Sequence, residues 1–105
     1  MSKQIGSTNN PTGDISALNI PFTERNGLTL VARKHALECI NKIFDGTFQF
    51  LGFDGFIVFP NGNIQPCLDC LMDCSNKQPK LDVVIKIINS CSTDITHFEF
   101  CFEAK

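Results

Sequence analysis

Residues 47–66 read TFQFLGFDGFIVFPNGNIQP. Phe48, Phe50, Phe53, Phe56 and Phe59 stand in it, half of the ten Phe in the chain. Two turn-forming dipeptides, Asp54-Gly55 and Asn61-Gly62, divide it. Such pairs supply the positive φ that tight hairpins need, so the stretch reads as a three-strand meander with its rings in the core.

On the N-terminal side, Leu30 to Phe44 (LVARKHALECINKIF) predicts a helix. Ala36, Leu37, Ile40, Ile43 and Phe44 recur at helical spacing, opposite Lys34, Glu38, Asn41 and Lys42. Glu38 and Lys42 are a favourable pair one turn apart. Gly46, after Asp45, suits the left-handed position that closes a helix. Thr23 to Gly27 reads as a loop. Ile15 to Phe22 reads as an edge strand or packed arm, because Pro21 excludes a central strand. Residues 1–14 are polar and aperiodic, as in a flexible tail.

On the C-terminal side, Gln65 to Cys74 (QPCLDCLMDC) reads as a second helix, with Pro66 at its first position and Asp69 and Asp73 on one polar face. Asn76 to Pro79 is a break. Leu81–Asn89 and Ile95–Glu103 then read as a hairpin, from their period of two and β-branched content. Leu81, Val83, Ile85 and Ile87 share one side of the first strand, and Phe98, Phe100 and Phe102 point inward from the second. Pairing Ile87 with Phe98, Ile85 with Phe100 and Val83 with Phe102 sets Lys86 opposite Glu99. Leu81, Val84, Ile85 and Ile88 also fit one face of a helix. The sum is a single α+β domain over residues 15–105. Its expected architecture is one antiparallel sheet of about five strands, a three-strand meander plus a C-terminal hairpin, with two helices packed on one face.

A chain of 105 residues suits one domain. At this length roughly 60–70% of the unfolded surface is buried, enough for a core without staples. Trp and Tyr are absent, so Phe supplies the aromatic core. The net charge of −2, with Arg25, Arg33, Lys34 and Lys42 scattered, argues against direct nucleic-acid binding. Residues 1–14 lack the apolar run of a secretory signal, and no run approaches the ~20 residues of a membrane span. These features predict a cytoplasmic protein without membrane attachment, its six cysteines reduced.

Cys67-x2-Cys70-x3-Cys74 is the sharpest motif. On a helix its sulfurs share a face, and closely spaced thiolates are what soft metals select, so the motif suits a zinc or iron–sulfur site, with Cys91, Cys101 or His97 to complete the set. Against this, Cys also serves as a small buried hydrophobe. The stretch has no second Cys-x2-Cys pair and none of the Gly and basic residues that shape a zinc knuckle. No metal or cofactor is therefore expected, and a zinc module on Cys67, Cys70 and Cys74 stands as the alternative. A redox pair at Cys67 and Cys70 needs a lowered thiolate pKa, which Asp69 and Asp73 oppose. His35 or His97 beside a cysteine would make a nucleophile pair. His35, however, adjoins Arg33 and Lys34, and His97 lies on the polar side of its strand. No phosphate loop, dinucleotide turn or nucleophile elbow is present. The chain reads as a non-enzyme, with a thiol-dependent enzyme as a further alternative.

The outward alternation of the predicted C-terminal hairpin joins Asp82, Val84, Lys86, Ile88, His97, Glu99, Cys101 and Glu103 into one mixed apolar and acidic surface. With a compact, mildly acidic domain and no catalytic or cofactor motif, the chain reads as a binding module that occludes a protein partner, in the manner of toxin-neutralising immunity proteins or phage and viral inhibitors, and the seven of these residues other than Cys101 are its expected partner-binding surface. Asp82, Glu99 and Glu103 would steer a basic toxin or nuclease onto it.

Overall fold

In a computed structural model, which describes residues 15–45, 47–74 and 78–104, the chain folds as one antiparallel five-stranded sheet with two helices. The strands are β1 (Thr23–Arg25), β2 (Leu28–Ala32), β3 (Phe48–Val58), β4 (Ile64–Asp73) and β5 (His97–Ala104). The helices are α1 (Ala36–Ile43) and α2 (Leu81–Ser90), with 3-10 turns at Ile15–Leu18 and Arg33–His35. The sheet order is β1-β2-β5-β3-β4. The expected class holds, whereas several of the segments that build it differ. Residues 1–14, Gly46, and Asn76 and Lys77 of the expected break lie outside the described residues.

The Asn61-Gly62 turn forms as the sequence predicts. Phe59 N–H donates to Asn63 O at 2.8 Å, and Gly62 N–H to Phe59 O at 2.9 Å. Asp54-Gly55 makes no turn. It lies inside β3, which runs unbroken for 11 residues between β5 and β4, so the meander loses one strand. Gly55 serves another purpose, since a Cβ there would lie 2.8 Å from Cys70 Sγ. The dipeptide permits a turn, but pairing on both edges outweighs that local preference.

The expected helix at Gln65–Cys74 is β4, an edge strand. Its register against β3 slips between Leu71↔Asp54 and Cys67↔Gly55, leaving Leu68, Asp69 and Cys70 as a bulge. Beyond the bulge Cys70, Met72 and Cys74 turn inward with a strand's period. The bulge therefore manufactured the three-residue spacing that resembled a helix. Pro66 is tolerated because an edge strand has one unpaired side.

The converse error lies at Leu81–Asn89, which is α2 and not a strand. Val84 and Ile88 are fully buried there, with Leu81, Ile85 and Ile87 packed at the margin. The alternative helical face was the correct one, and burial overrode the β-branched preference. The pairings of Ile87, Ile85 and Val83 with the C-terminal Phe residues, and of Lys86 with Glu99, do not occur. Val31 and Gly55 flank Phe98, while Phe53 stands opposite Phe100 and Phe50 opposite Phe102. The inward set Phe98, Phe100 and Phe102 is as expected, each at most 5% exposed.

The predicted first helix begins late. Leu28–Ala32 is a strand, joined to β1 by Asn26 (φ 53°) and Gly27 (φ 80°), the two positive values of a tight hairpin. Thr23–Gly27 is thus a strand and a turn. In α1, Ala36, Cys39, Ile40 and Ile43 are buried while Leu37 is exposed, so Cys39 takes the place expected of Leu37. Glu38 and Lys42 do pair, at 3.7 Å. Ile15, Leu18 and Ile20 pack into the core as an arm.

Both helices and this arm cover the Phe98/Phe100/Phe102 face of the sheet in one hydrophobic cluster. Arg33 ties its upper end. Its guanidinium donates to the carbonyls of Cys91 (3.0 Å), Ser92 and Ile95 (3.1 Å), and sits 5.9 Å from the Phe98 ring centroid. Arg33→Met removes these charge-assisted bonds while keeping the aliphatic stem. The expected loss is roughly 1–3 kcal/mol in chemical denaturation, and an unchanged midpoint would contradict the tie.

Candidate functional site

The surface expected to join seven partner-binding residues is divided by the fold. Val84 and Ile88 lie in the core, because α2 is a helix and these positions face inward. Asp82 and Lys86 are exposed on α2, on the covered side of the sheet. His97, Glu99 and Glu103 stand together on the opposite, helix-free side of β5. Asp82 and Lys86 therefore share no surface patch with these three.

The sheet register adds residues to that trio. Asp54 of β3 stands between Glu99 and Leu71 in one row across the strands. In the next row Gly52 stands between Cys101 and Asp73, and beyond it Gln49 faces Glu103. Gly52 offers no side chain, so its row opens a groove of about 360 Å³ lined by Leu51, Asp54, Leu71, Met72, Asp73 and Cys101. Leu71 is 46% exposed beside it. Acidic rim and apolar floor are contiguous here.

The negative field is visible at Cys101. Burial raises its thiol pKa, and Glu99, Asp54 and Asp73 raise it further. Asp54 and Glu99 are direct cross-strand neighbours, an arrangement that weakens a sheet when both are charged. Glu99 is held by a second contact, accepting from Thr29 N–H at 3.0 Å. At the other end of this face, burial and then the nearby Arg25 lower the His97 pKa, so the imidazole is neutral at pH 7. Its Nδ1 lies 2.8 Å from Thr96 Oγ1. The charged portion of the face is thus acidic from Asp54 to Glu103.

Asp54, Leu71 and Asp73 were not anticipated here. Asp54 was hidden by its turn-like dipeptide, and the other two by the apparent helical spacing of β4. The one signal available was the alternation of His97, Glu99 and Glu103, which does place these three on one face of β5.

The cysteines do not form the alternative zinc site. Cys70 is joined to Cys91 in a disulfide, Cys74 is buried, and Cys67 is half-buried on the other side of the bulge. Among the described residues no group of three or more His, Cys, Asp or Glu is placed to hold a metal ion. The disulfide also corrects the expectation of six reduced thiols. Cys39, Cys67, Cys74 and Cys101 are free. Burial, then Glu38, pushes the Cys39 thiol up to about 12 against the opposing effect of Lys42, and burial followed by Asp73 raises Cys74. His35 lies 3.9 Å from Glu38, on a short turn before α1. No helix among the described residues is long and apolar enough to cross a membrane.

Comparison of the chain with protein-family models, with curated proteins and with solved structures gives no match.

Proposed function

We propose that this domain is a non-enzymatic binding module that occludes a basic protein partner with the helix-free face of its sheet. The observation that carries the reading is the row Glu99–Asp54–Leu71, flanked by Asp73 and Glu103. Two carboxylates facing each other across adjacent strands cost the fold stability, and an incoming Lys or Arg relieves that repulsion. Leu71 supplies apolar area at the edge-strand end of the same row. A basic toxin or nuclease neutralised by an immunity protein, or an enzyme held by a phage or viral inhibitor, is the kind of partner that suits such a face. Four of the six cysteines stay as thiols, which suits a cytoplasmic site of action; a lone disulfide there is typically exchange-active.

Asp54→Lys separates a binding role from a structural one. Placing Lys opposite Glu99 raises fold stability by about 0.2–1 kcal/mol, since a like-charge pair becomes an opposite one. The same change slows association with the partner by on the order of tenfold at low salt and flattens its salt dependence. Asp82→Lys, on α2, leaves the association rate unchanged. Stopped-flow association of the partner purified from the producing cells reads both variants. Equal slowing by Asp54→Lys and Asp82→Lys would show general charge attraction and refute this face.

A further inference from the structure

The bulge in β4 brings three sulfurs to one place. Cys67 is the cross-strand partner of Gly55, and Cys70 Sγ lies 2.8 Å from where a Gly55 Cβ would stand. Both cysteines of the Cys67-x2-Cys70 motif therefore border the same glycine, Cys67 beside it and Cys70 over it, and both pack against the core. Cys70 is bonded to Cys91 just past the end of α2. Cys67, Cys70 and Cys91 all line one open cavity of about 300 Å³, together with Asp69, Ser92 and Ile57. The Cys67 thiol makes only a long contact, 3.9 Å, to Gln65 O. A free, half-exposed thiol thus shares a solvent-open cavity with the disulfide. Cys39 and Cys74, by contrast, are buried.

We propose that Cys67 is an exchange thiol for the Cys70–Cys91 disulfide, making this cavity a thiol–disulfide exchange site. The Cys67 thiolate attacks Cys70 Sγ and forms a Cys67–Cys70 bond. The Cys70–Cys91 bond breaks, and its electron pair leaves on Cys91, which takes up the proton that Cys67 released to solvent. One disulfide and one thiol exist before and after, so no oxidant or reductant is consumed. Cys70 is the sulfur attacked because its Sγ lies over Gly55, the residue that Cys67 faces across the strands, and glycine places no side chain between them. The exchange replaces a clamp between β4 and α2 with a bridge inside the bulge, and it exposes Cys91 to the cavity as a new nucleophile. This site lies on the opposite side of the sheet from the acidic face and is independent of that face's role.

The test uses the full chain isolated without reductant. It is incubated under native conditions at a series of mildly alkaline pH values, quenched with iodoacetamide, cleaved between Leu68 and Asp69, and mapped unreduced by mass spectrometry. The expected result is alkylated Cys91 together with a Cys67–Cys70 linked fragment pair. Both increase with pH, because the thiolate is the attacking species. Cys67→Ser abolishes the Cys91 label while leaving Cys70–Cys91 intact. Alkylation of Cys67 without any alkylation of Cys91, at every pH, would overturn the assignment.

Discussion

Phe98→Ala is expected to lower the unfolding free energy by about 3–5 kcal/mol. The ring is fully buried on a strand paired along both edges, by Val31 on one side and Gly55 on the other. It packs edge-on against Phe53 with centroids 5.5 Å apart, and stacks on Phe100 at 5.8 Å. Arg33 lies over it from the covered side. Truncation leaves a cavity that neither the sheet nor the Arg33-tied loop can close, so the lost transfer energy and the cavity cost add. Domains of this size hold roughly 5–15 kcal/mol in total, so about a fifth or more of the stability is at stake. Denaturant titration checks this, with the m-value constant. A loss below about 1 kcal/mol would mean that the ring is not in the core.

Gly52→Ala should be nearly as costly for a different reason. Gly52 has φ +147°, and a Cβ built there falls 2.1 Å from the carbonyl oxygen of Met72 on the neighbouring strand. The obstacle is backbone, so no rotamer change relieves it. β4 must move away from β3, which breaks the Gly52↔Asp73 pairing and strains the Cys74 N–H to Leu51 O bond of 2.8 Å. Backbone strain and overpacking together give about 2–6 kcal/mol. Thermal unfolding then falls by on the order of 10 °C or more. An unchanged melting temperature would mean that the close approach at Met72 is absent.

These two positions mark what was legible in the sequence and what was not. The alternation of Phe98, Phe100 and Phe102 is a direct print of a one-sided sheet, and it was read correctly. So were the Asn61-Gly62 turn, the α1 face through Ala36, Ile40 and Ile43, and the overall α+β class. Asn26-Gly27 carried the same turn chemistry as Asn61-Gly62 and would have revealed β1 and β2, but the weak strands around it concealed it. Gly52 and Gly55 were opaque. Their purpose is to let Met72 O and Cys70 Sγ approach, and those partners come from a strand that read as a helix.

The exchanged identities of β4 and α2 have one physical origin. A bulge of three residues gave β4 a helical spacing, and β-branched residues gave α2 a strand's composition. Local pattern was ambiguous in both segments, and long-range burial decided between them. The functional surface inherited the mistake. Of its seven expected residues, His97, Glu99 and Glu103 share one face because β5 forms as expected, and the other four followed α2 into the core or onto the opposite side.

Carbodiimide cross-linking of the protein to its partner in the producing cells' extract, with the linked carboxylates mapped by mass spectrometry, tests the central claim most directly. The reagent joins a carboxylate to an amine in direct contact, so it reports which acidic residues meet the partner's lysines. The proposed mode of binding requires links at Asp54, Asp73, Glu99 or Glu103. Links confined to Glu38, Asp82 or Asp94, or no linked species at all, would contradict it.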